Sequence, residues 1–488
     1  MIAPAAHNQS TTLNRATQTL AIVFGLLCVL GMFWGASLEQ VIAYLLVLSA
    51  AVLPSLLWLR MGALGIPILP AVGLAYIPYF AWPLLSGGEN TQAYTLWEIA
   101  RAGITVALFL VTATVAWRLI AGTVRARHAI ATEQADPSRA VGFMLAGLLV
   151  GVVFHAGVIL GWLEGIGTLF GLVRSIAVTF VTVACFLIGV TRAQGVLRGP
   201  AWAASLAGLG LLTALSWSSL FLVGGMIYLL AAGLGFVLVS KRIPVLAFGV
   251  LFVVVAVLHA GKGEMRERYW ISGSNSADIS AMQVPGLLVD WVGVGIHAIS
   301  TGELGQSVVD RASLIQMILR AQVETPDRVD FLMGETYALL PSILVPRFID
   351  SDKPASQVGM DLLNIRYGVL TVEGVASTAI GWGLIAEAYA NFGYYGVIGI
   401  ALALGVFCGA LFIWSARADI VSIPTLASIA AMMGLINLEA DFIQLFSSLL
   451  QSFVAVLVFS ALYRWFAIPR DSVVRAGRNT SRDSSAGW

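Results

Sequence analysis

The chain has little charge and almost no cysteine. Only 11% of its 488 residues are charged, where a soluble domain carries roughly a quarter, while 59% are hydrophobic and the mean hydropathy is +0.89. Those proportions exclude a water-soluble enzyme. The three cysteines, Cys28, Cys185 and Cys408, each lie inside an apolar run. They offer no disulfide framework, zinc ligand set or exposed thiol nucleophile. A net charge of +1 leaves no basic surface for a phosphodiester backbone, so nucleic acid is excluded as a partner. The five histidines, at 7, 128, 155, 259 and 297, have no ligand spacing, and no Asp-x-Asp pair stands at the outer end of an early apolar run. Neither a metal nor a cofactor is therefore expected. Repeats of solenoid or transporter type are absent as well.

What the sequence does have is apolar length. Because lipid forces a backbone to satisfy its own hydrogen bonds, runs of about 20 apolar residues read as membrane-spanning helices. The pattern predicts an all-α polytopic membrane protein with about 12 of them, near 18–35, 38–59, 62–85, 97–119, 140–160, 168–190, 201–217, 219–239, 243–260, 393–415, 420–437 and 445–466. An even number places both termini on one face. Sixteen of the 27 Lys and Arg residues, from Arg15 to Arg482, fall on that face, whereas the opposite short loops at 86–96, 161–167 and 438–444 have none. Such an asymmetry predicts cytoplasmic termini.

Four regions follow: a membrane bundle of about nine helices over 1–260, a large extracytoplasmic loop over 261–392, further membrane helices over 393–466, and an unstructured basic tail over 467–488 that meets membrane lipids. The loop holds nine of the 27 cations between Gly261 and Val375, and loops of such length are usually functional. Two of its pieces, Val284–Ile299 and Phe331–Val345, are apolar enough to dip into the bilayer, but Asp290, Glu335 and Pro341 make them interfacial or re-entrant elements. The apolar run from Ser377 to Trp414 spans 38 residues, too long for a hydrocarbon core of about 30 Å. It is expected to break at Asn391-Phe392-Gly393, leaving a first piece with Glu387 and Tyr389 at the outer surface or partly re-entrant.

Chemistry is sought among the loop cations. On a helix over Asp310–Glu324, Ser313, Gln316, Arg320 and Glu324 form a polar stripe, giving Arg320 a solvated face, while Arg311 falls among Leu314, Ile315 and Ile318. A guanidinium there needs a pocket or a partner, unless the helix end frays. In Pro341-Ser-Ile-Leu-Val-Pro-Arg347-Phe-Ile-Asp-Ser-Asp-Lys353-Pro354, prolines hold the backbone extended. Arg347 and Lys353 suit a diphosphate clamp, a fork beside a point charge; the plainer alternative pairs Arg347 with Asp350 or Asp352. Within the membrane, Arg174 holds a lipid diphosphate or a structural partner, and Arg101 snorkels or pairs with Glu98. Glu387 is the lone carboxylate between Ala376 and Gly405. It serves as a base, or it pairs with Arg366 or Arg311.

The strings Gly334-Glu-Thr-Tyr337, Ile343-Leu-Val-Pro-Arg347, Lys353-Pro354 and Leu384-Ile-Ala-Glu387-Ala-Tyr389-Ala-Asn391-Phe-Gly393, in that order, resemble the bacterial O-antigen and exopolysaccharide repeat-unit polymerases of the Wzy type. The resemblance covers roughly residues 311 to 400 in motifs and the remainder in topology. It implies a membrane glycosyltransferase of the GT-C class in the bacterial inner membrane, transferring a growing glycan from undecaprenyl diphosphate to an incoming lipid-linked repeat unit at the periplasmic face. In the matched strings Arg347 and Lys353 hold the donor diphosphate, with Arg311 as a further cation, and Glu387 orients or deprotonates the acceptor. Arg174, Arg366, Tyr337 and Tyr389 complete the substrate-binding set, and Arg320 receives no role. The implied partners are undecaprenyl-diphosphate-linked oligosaccharides, a chain-length regulator and a flippase, with no cofactor. Competing classes are a glycan ligase, for which His297 is the available loop histidine, a transporter of lipid-linked oligosaccharides, and a non-catalytic scaffold.

The charge asymmetry generates a direct test. In a Ser274→Cys variant a membrane-impermeant thiol reagent should label from the outside of intact cells, and labelling only from the inside would reverse the orientation.

Overall fold

The computed structural model describes residues 3–86, 89–122, 136–269, 281–301, 313–345, 350, 353–376, 378–416 and 418–467. Among these there is no strand, and the chain is an all-α polytopic membrane protein. From the N-terminus run α1 (Ala3–Met32), α2 (Leu38–Arg60), α3 (Ile68–Ser86), α4 (Leu96–Ala121), α5 (Pro137–Ile159), α6 (Phe170–Ala193), α7 (Gly199–Trp217), α8 (Leu222–Ser240) and α9 (Val245–Tyr269). Five shorter helices follow: α10 (Val284–Ser300), α11 (Ile315–Glu324), α12 (Glu335–Ala338), α13 (Leu340–Leu344) and α14 (Val358–Arg366). The C-terminal bundle is α15 (Gly383–Ala416), α16 (Ile423–Leu435) and α17 (Phe442–Ala467). Among the described residues, eleven of these helices are long and apolar enough to cross a membrane: α1 to α9, α15 and α17.

Local sequence sets several helix starts. Ser37 with Gln40 and Thr95 with Glu98 each close a reciprocal capping box at the head of α2 and α4. Asp136 accepts from the N–H groups of Ser138 and Arg139 just ahead of Pro137, whose missing N–H costs nothing in a first turn. Between helices the contacts are tight rather than bulky, because lipid is as apolar as the side chains and association rests on close packing. A Cβ on Gly235 of α8 would stand 2.1 Å from the carbonyl oxygen of Phe186 in α6, and one on Gly405 of α15 would stand 2.3 Å from that of Ala113 in α4. These backbones touch.

The eleventh expected segment, 420–437, is helical only over the 13 residues of α16. That is about 20 Å of rise, short of a core about 30 Å thick. It need not reach lipid, since every residue from Thr425 to Met433 is buried in protein. Ser428 donates to Leu411 O (3.3 Å), and Gly383 N–H donates to Glu439 O (3.3 Å) just beyond the other end of α16. The helix therefore runs back between α15 and α17. The expected break in α15 is present: Phe392 (φ −141°, ψ 16°) and Gly393 (φ 60°, ψ −142°) leave helical geometry. Gly393 occupies a positive φ that glycine adopts without strain.

Of the two apolar pieces of the loop, the first is α10, laid antiparallel along α9. The Trp291 indole donates to Leu258 O (2.6 Å), and Gly261 meets Gly295 backbone to backbone. With Trp217, Leu220, Met265 and Leu287 these residues form a small cluster apart from the main core. The second piece, Phe331–Val345, is no single helix but the one-turn α12 and α13. It packs, with α11 and α14, on the main core at the end of the bundle where α15 starts.

Close backbone contact makes a sharp prediction. Gly235→Ala should lower the thermal midpoint of the detergent-purified protein, since overpacking costs about 1–3 kcal/mol. Gly249→Ala in α9, where a Cβ meets nothing within 4 Å, should leave it unchanged. Equal midpoints would argue against the α6–α8 contact.

Candidate functional site

A helix start inside an apolar bundle leaves its first N–H groups needing acceptors. At the head of α17 the acceptors are two carboxylates from different parts of the chain. Glu387, fully buried on the first segment of α15, accepts from Phe442 N–H through Oε2 (2.7 Å) and bonds the Thr336 hydroxyl of α12. Asp441, also fully buried, accepts from Gln444 N–H through Oδ1 (2.8 Å) and takes the Met360 N–H of α14. One carboxylate thus ties α15 to α17, and the other ties α14 to α17.

Each carboxylate keeps an oxygen in reserve. Glu387 Oε1 and Asp441 Oδ2 are buried without a hydrogen-bond partner, as are the Tyr337 hydroxyl and Asp361 Oδ1. Among the described residues no Lys, Arg or His lies within ion-pair distance of Glu387 or Asp441. Burial, reinforced by the nearby Asp361, raises the pKa of Asp441 to about 6. Burial also raises Asp361. The Tyr337 phenol is pushed far up by burial and by the charges of Glu387 and Asp441. Gly359, opposite, is a position without room: a Cβ there would stand 2.6 Å from Asp441 Oδ2.

Asn391 holds the break beside this cluster. Its Nδ2 donates to Thr336 Oγ1 (2.9 Å) and to Glu387 O (2.9 Å), and its Oδ1 accepts from Gly334 N–H (3.0 Å). Main-chain bonds from Leu332 N–H to Ala390 O and from Met333 N–H to Asn391 O complete the splice between α12 and the end of the first α15 segment. The Tyr337 ring covers the cluster, edge-on to Phe442 (5.3 Å between centroids) and stacked over Phe392 (6.2 Å). A cavity of about 10 Å³ lies alongside, lined by Tyr76, Leu384, Asn437, Ala440 and Leu445 among others. It holds about one water, far below the roughly 300–1,000 Å³ of a small-ligand site. The carboxylates are closed off in this conformation.

Against that geometry the sequence-based candidates separate. Arg311 and Arg347 lie outside the described residues, and so does the alternative partner Asp352. Lys353 is half-buried just ahead of Pro354. Tyr337 reaches the Glu387 cluster. Tyr389, two residues on from Glu387, turns away from it to pack on Phe331 and Tyr394. The alternative that pairs Glu387 with Arg366 is not realised: Arg366 donates to both oxygens of Glu335 (3.2 and 2.9 Å) in an exposed pair. Arg101 does not pair with Glu98, which is spent on the Thr95 cap; its guanidinium donates to Gln322 O (2.7 Å). Arg174 is exposed on α6, which packs beside α17 through Thr179 and Ser452 (3.1 Å), and makes no ion pair among the described residues. Nor is the stripe on α11 a solvated face. Ser313 is buried, and Arg320 donates to Tyr367 O (3.0 Å), because the helix is packed on more than one side.

Comparison with protein-family models, with curated proteins and with solved structures finds no match. The site is read from its own chemistry. Asp441, Thr336, Asn391 and Asp361 are the residues that sequence reasoning missed. For Asp441 a signal existed: an Asp immediately ahead of an apolar run is an N-cap, and here it stands in a short loop without cations. What the cluster can do is accept and release protons at Glu387 Oε1. Nothing cationic among the described residues competes for that oxygen.

Removing the splice should weaken the fold measurably. Asn391→Ala strands Gly334 N–H and Thr336, and an unsatisfied buried group costs about 1–3 kcal/mol. A clear drop in the thermal midpoint is expected, with Asn391→Asp also failing to restore it, because a carboxylate cannot donate to Glu387 O. An unchanged midpoint for the alanine variant would remove Asn391 from this role.

Proposed function

We propose that this chain is a membrane glycosyltransferase that polymerises lipid-diphosphate-linked oligosaccharide repeat units at the outer face of the bacterial inner membrane. The observation that carries the reading is Glu387: a buried carboxylate with an unsatisfied oxygen, without a cation among the described residues, placed where the long α15 breaks at the end of the bundle. A burial of that kind is costly in a membrane protein and marks a site more often than a scaffold. Support also comes from the polarity of the chain, since α12 to α14 cluster at the same end and the sequence between α13 and α14 carries Arg347 and Lys353.

In this reaction the acceptor hydroxyl oxygen bonds to the anomeric carbon of the donor. The bond from that carbon to the diphosphate oxygen breaks, with its electron pair leaving on the diphosphate. The proton of the acceptor passes to Glu387. Arg347, Lys353 and Arg311 meet the charge that grows on the leaving group, which is where fixed cations accelerate the reaction most. Those cations carry the role a divalent ion has in other transferases. The substrate reaches Glu387 only after Tyr337 moves, and Arg366 binds the donor only by leaving Glu335. Transport of a lipid-linked oligosaccharide is the second reading. The π-helical turn Ile77–Ala81 inside α3 and the break in α15 favour it, as interrupted helices line transporter sites.

Purified protein with lipid-linked repeat units decides between them. Arg347→Ala and Lys353→Ala should each lower elongation by on the order of 100- to 1,000-fold, the usual loss for one preorganised charge contact, and Arg347→Lys should fail where the fork is needed. Glu387→Gln should keep donor binding and lose elongation, with EDTA without effect on the parent enzyme. Normal polymer from Arg347→Ala, Lys353→Ala and Glu387→Gln would remove these residues from the site, and movement of intact substrate across vesicles without new glycosidic bonds would overturn the polymerase reading.

A further inference from the structure

Glu387 and Asp441 belong to one unit. Both are at zero exposure, both are acceptors at the first turn of α17, and Glu387 Oε2 lies 2.7 Å from the nitrogen of Phe442, the residue next to Asp441. Each has one oxygen bound to a helix-start N–H and the other unpartnered. Two ionised carboxylates so placed repel each other in an apolar surrounding, with only the N–H groups of α17 and α14 to offset them. Among the described residues the neighbouring elements bring no compensating charge. From α12 the titratable group facing the pair is Tyr337, and Glu335 is held outward by Arg366. From α14 it is Asp361, from the loop before α17 it is Glu439, exposed, and from α4 Arg101 is turned to Gln322 and Tyr389.

We propose that Glu387 and Asp441 hold a single proton between them and work as one acid–base unit, in which Glu387 Oε1 meets the acceptor and Asp441 is a positioning residue that sets the proton affinity of Glu387. The resting pair carries one proton and one negative charge. When the acceptor oxygen bonds to the anomeric carbon, its proton joins the pair, which becomes neutral while the departing diphosphate takes the electron pair. Release of that proton to water restores the resting state. The unit rests on the transferase reading for the source of the second proton, but not for its own existence. Like charges held this close titrate as a pair, not as two independent acids.

Infrared difference spectra of the full-length protein in nanodiscs, recorded as pH is varied, read the pair directly through the C=O stretch of a protonated carboxylic acid. A band present at neutral pH and lost in both Glu387→Gln and Asp441→Asn is expected, because each variant removes the charge that retains the shared proton. Gly359→Ala displaces the Asp441 carboxylate without altering a titratable group and should move the band toward lower pH. It serves should Asp441→Asn fail to fold. In elongation assays Asp441→Asn should shift the acid limb of the pH–rate profile to lower pH by about one unit, a tenfold change in proton concentration, while a helix-capping role alone would leave that limb in place. Absence of the band from the parent protein at neutral pH, or its persistence at full intensity in either carboxamide variant, would overturn the dyad. The expected spectra together with undiminished elongation by Glu387→Gln would keep the dyad and remove it from the transfer step, and the expected spectra without any elongation by the parent protein would keep the dyad and remove the transferase reading. Loss of elongation in Glu387→Gln without a band in the parent would do the reverse.

Discussion

The start of α17 has to find acceptors for its N–H groups in a place that water does not reach, and it finds them on Glu387 and Asp441. Much else at this end of the molecule is arranged around those two bonds. Because Glu387 reaches Phe442 from the first segment of α15, that segment cannot continue straight into the second; the break at Phe392-Gly393 is where the directions part. Because Asp441 also takes the Met360 N–H, α14 is docked against the same helix head, and the absence of a side chain at Gly359 leaves the carboxylate its place. Asn391 then fills the backbone gap that the break opens, serving Gly334, Thr336 and Glu387 at once.

Capping by carboxylates has an electrostatic consequence that capping by Ser or Asn would not have. A hydroxyl or an amide would satisfy the same N–H groups and bring no charge. Two carboxylates satisfy them and bring proton affinity; burial, reinforced by Asp361, raises the pKa of Asp441 to about 6. The choice of residue thus turns a structural necessity into a place where protons can be exchanged. The exposed pair Arg366–Glu335 shows the contrast: oppositely charged and half in solvent, it contributes little to stability.

Away from the site the bundle is held by the rules of helices in lipid. Glycines at the crossings of α6 with α8 and of α4 with α15 bring backbones into contact, and large apolar side chains such as Leu246 and Phe252 of α9 are left facing outward, as a bilayer permits. The short α16 is the exception that the packing explains. Enclosed by protein on all sides, it escapes the length that lipid contact imposes on its neighbours.

Sequence alone determined the class of protein and most of its helices, since apolar length is dictated by the thickness of the membrane and shows in composition without any tertiary information. It also determined the break in α15, which follows from a run too long to cross and a glycine at its centre, and it singled out Glu387 as an ionisable group in an apolar stretch. Tertiary structure decided what Glu387 meets. From sequence it is a base, or else a partner of Arg366 or Arg311; in the structure its contact is a backbone N–H 55 residues away and its companion is Asp441, a residue that looks like an ordinary loop acid when read along the chain. The same holds for Arg101, Arg366 and the α11 stripe. A side chain's charge and the face of the helix it occupies are written locally, whereas its partner depends on which helix ends the packing brings together. That is fixed by contacts between backbones distant in the chain, and no spacing in the sequence encodes them.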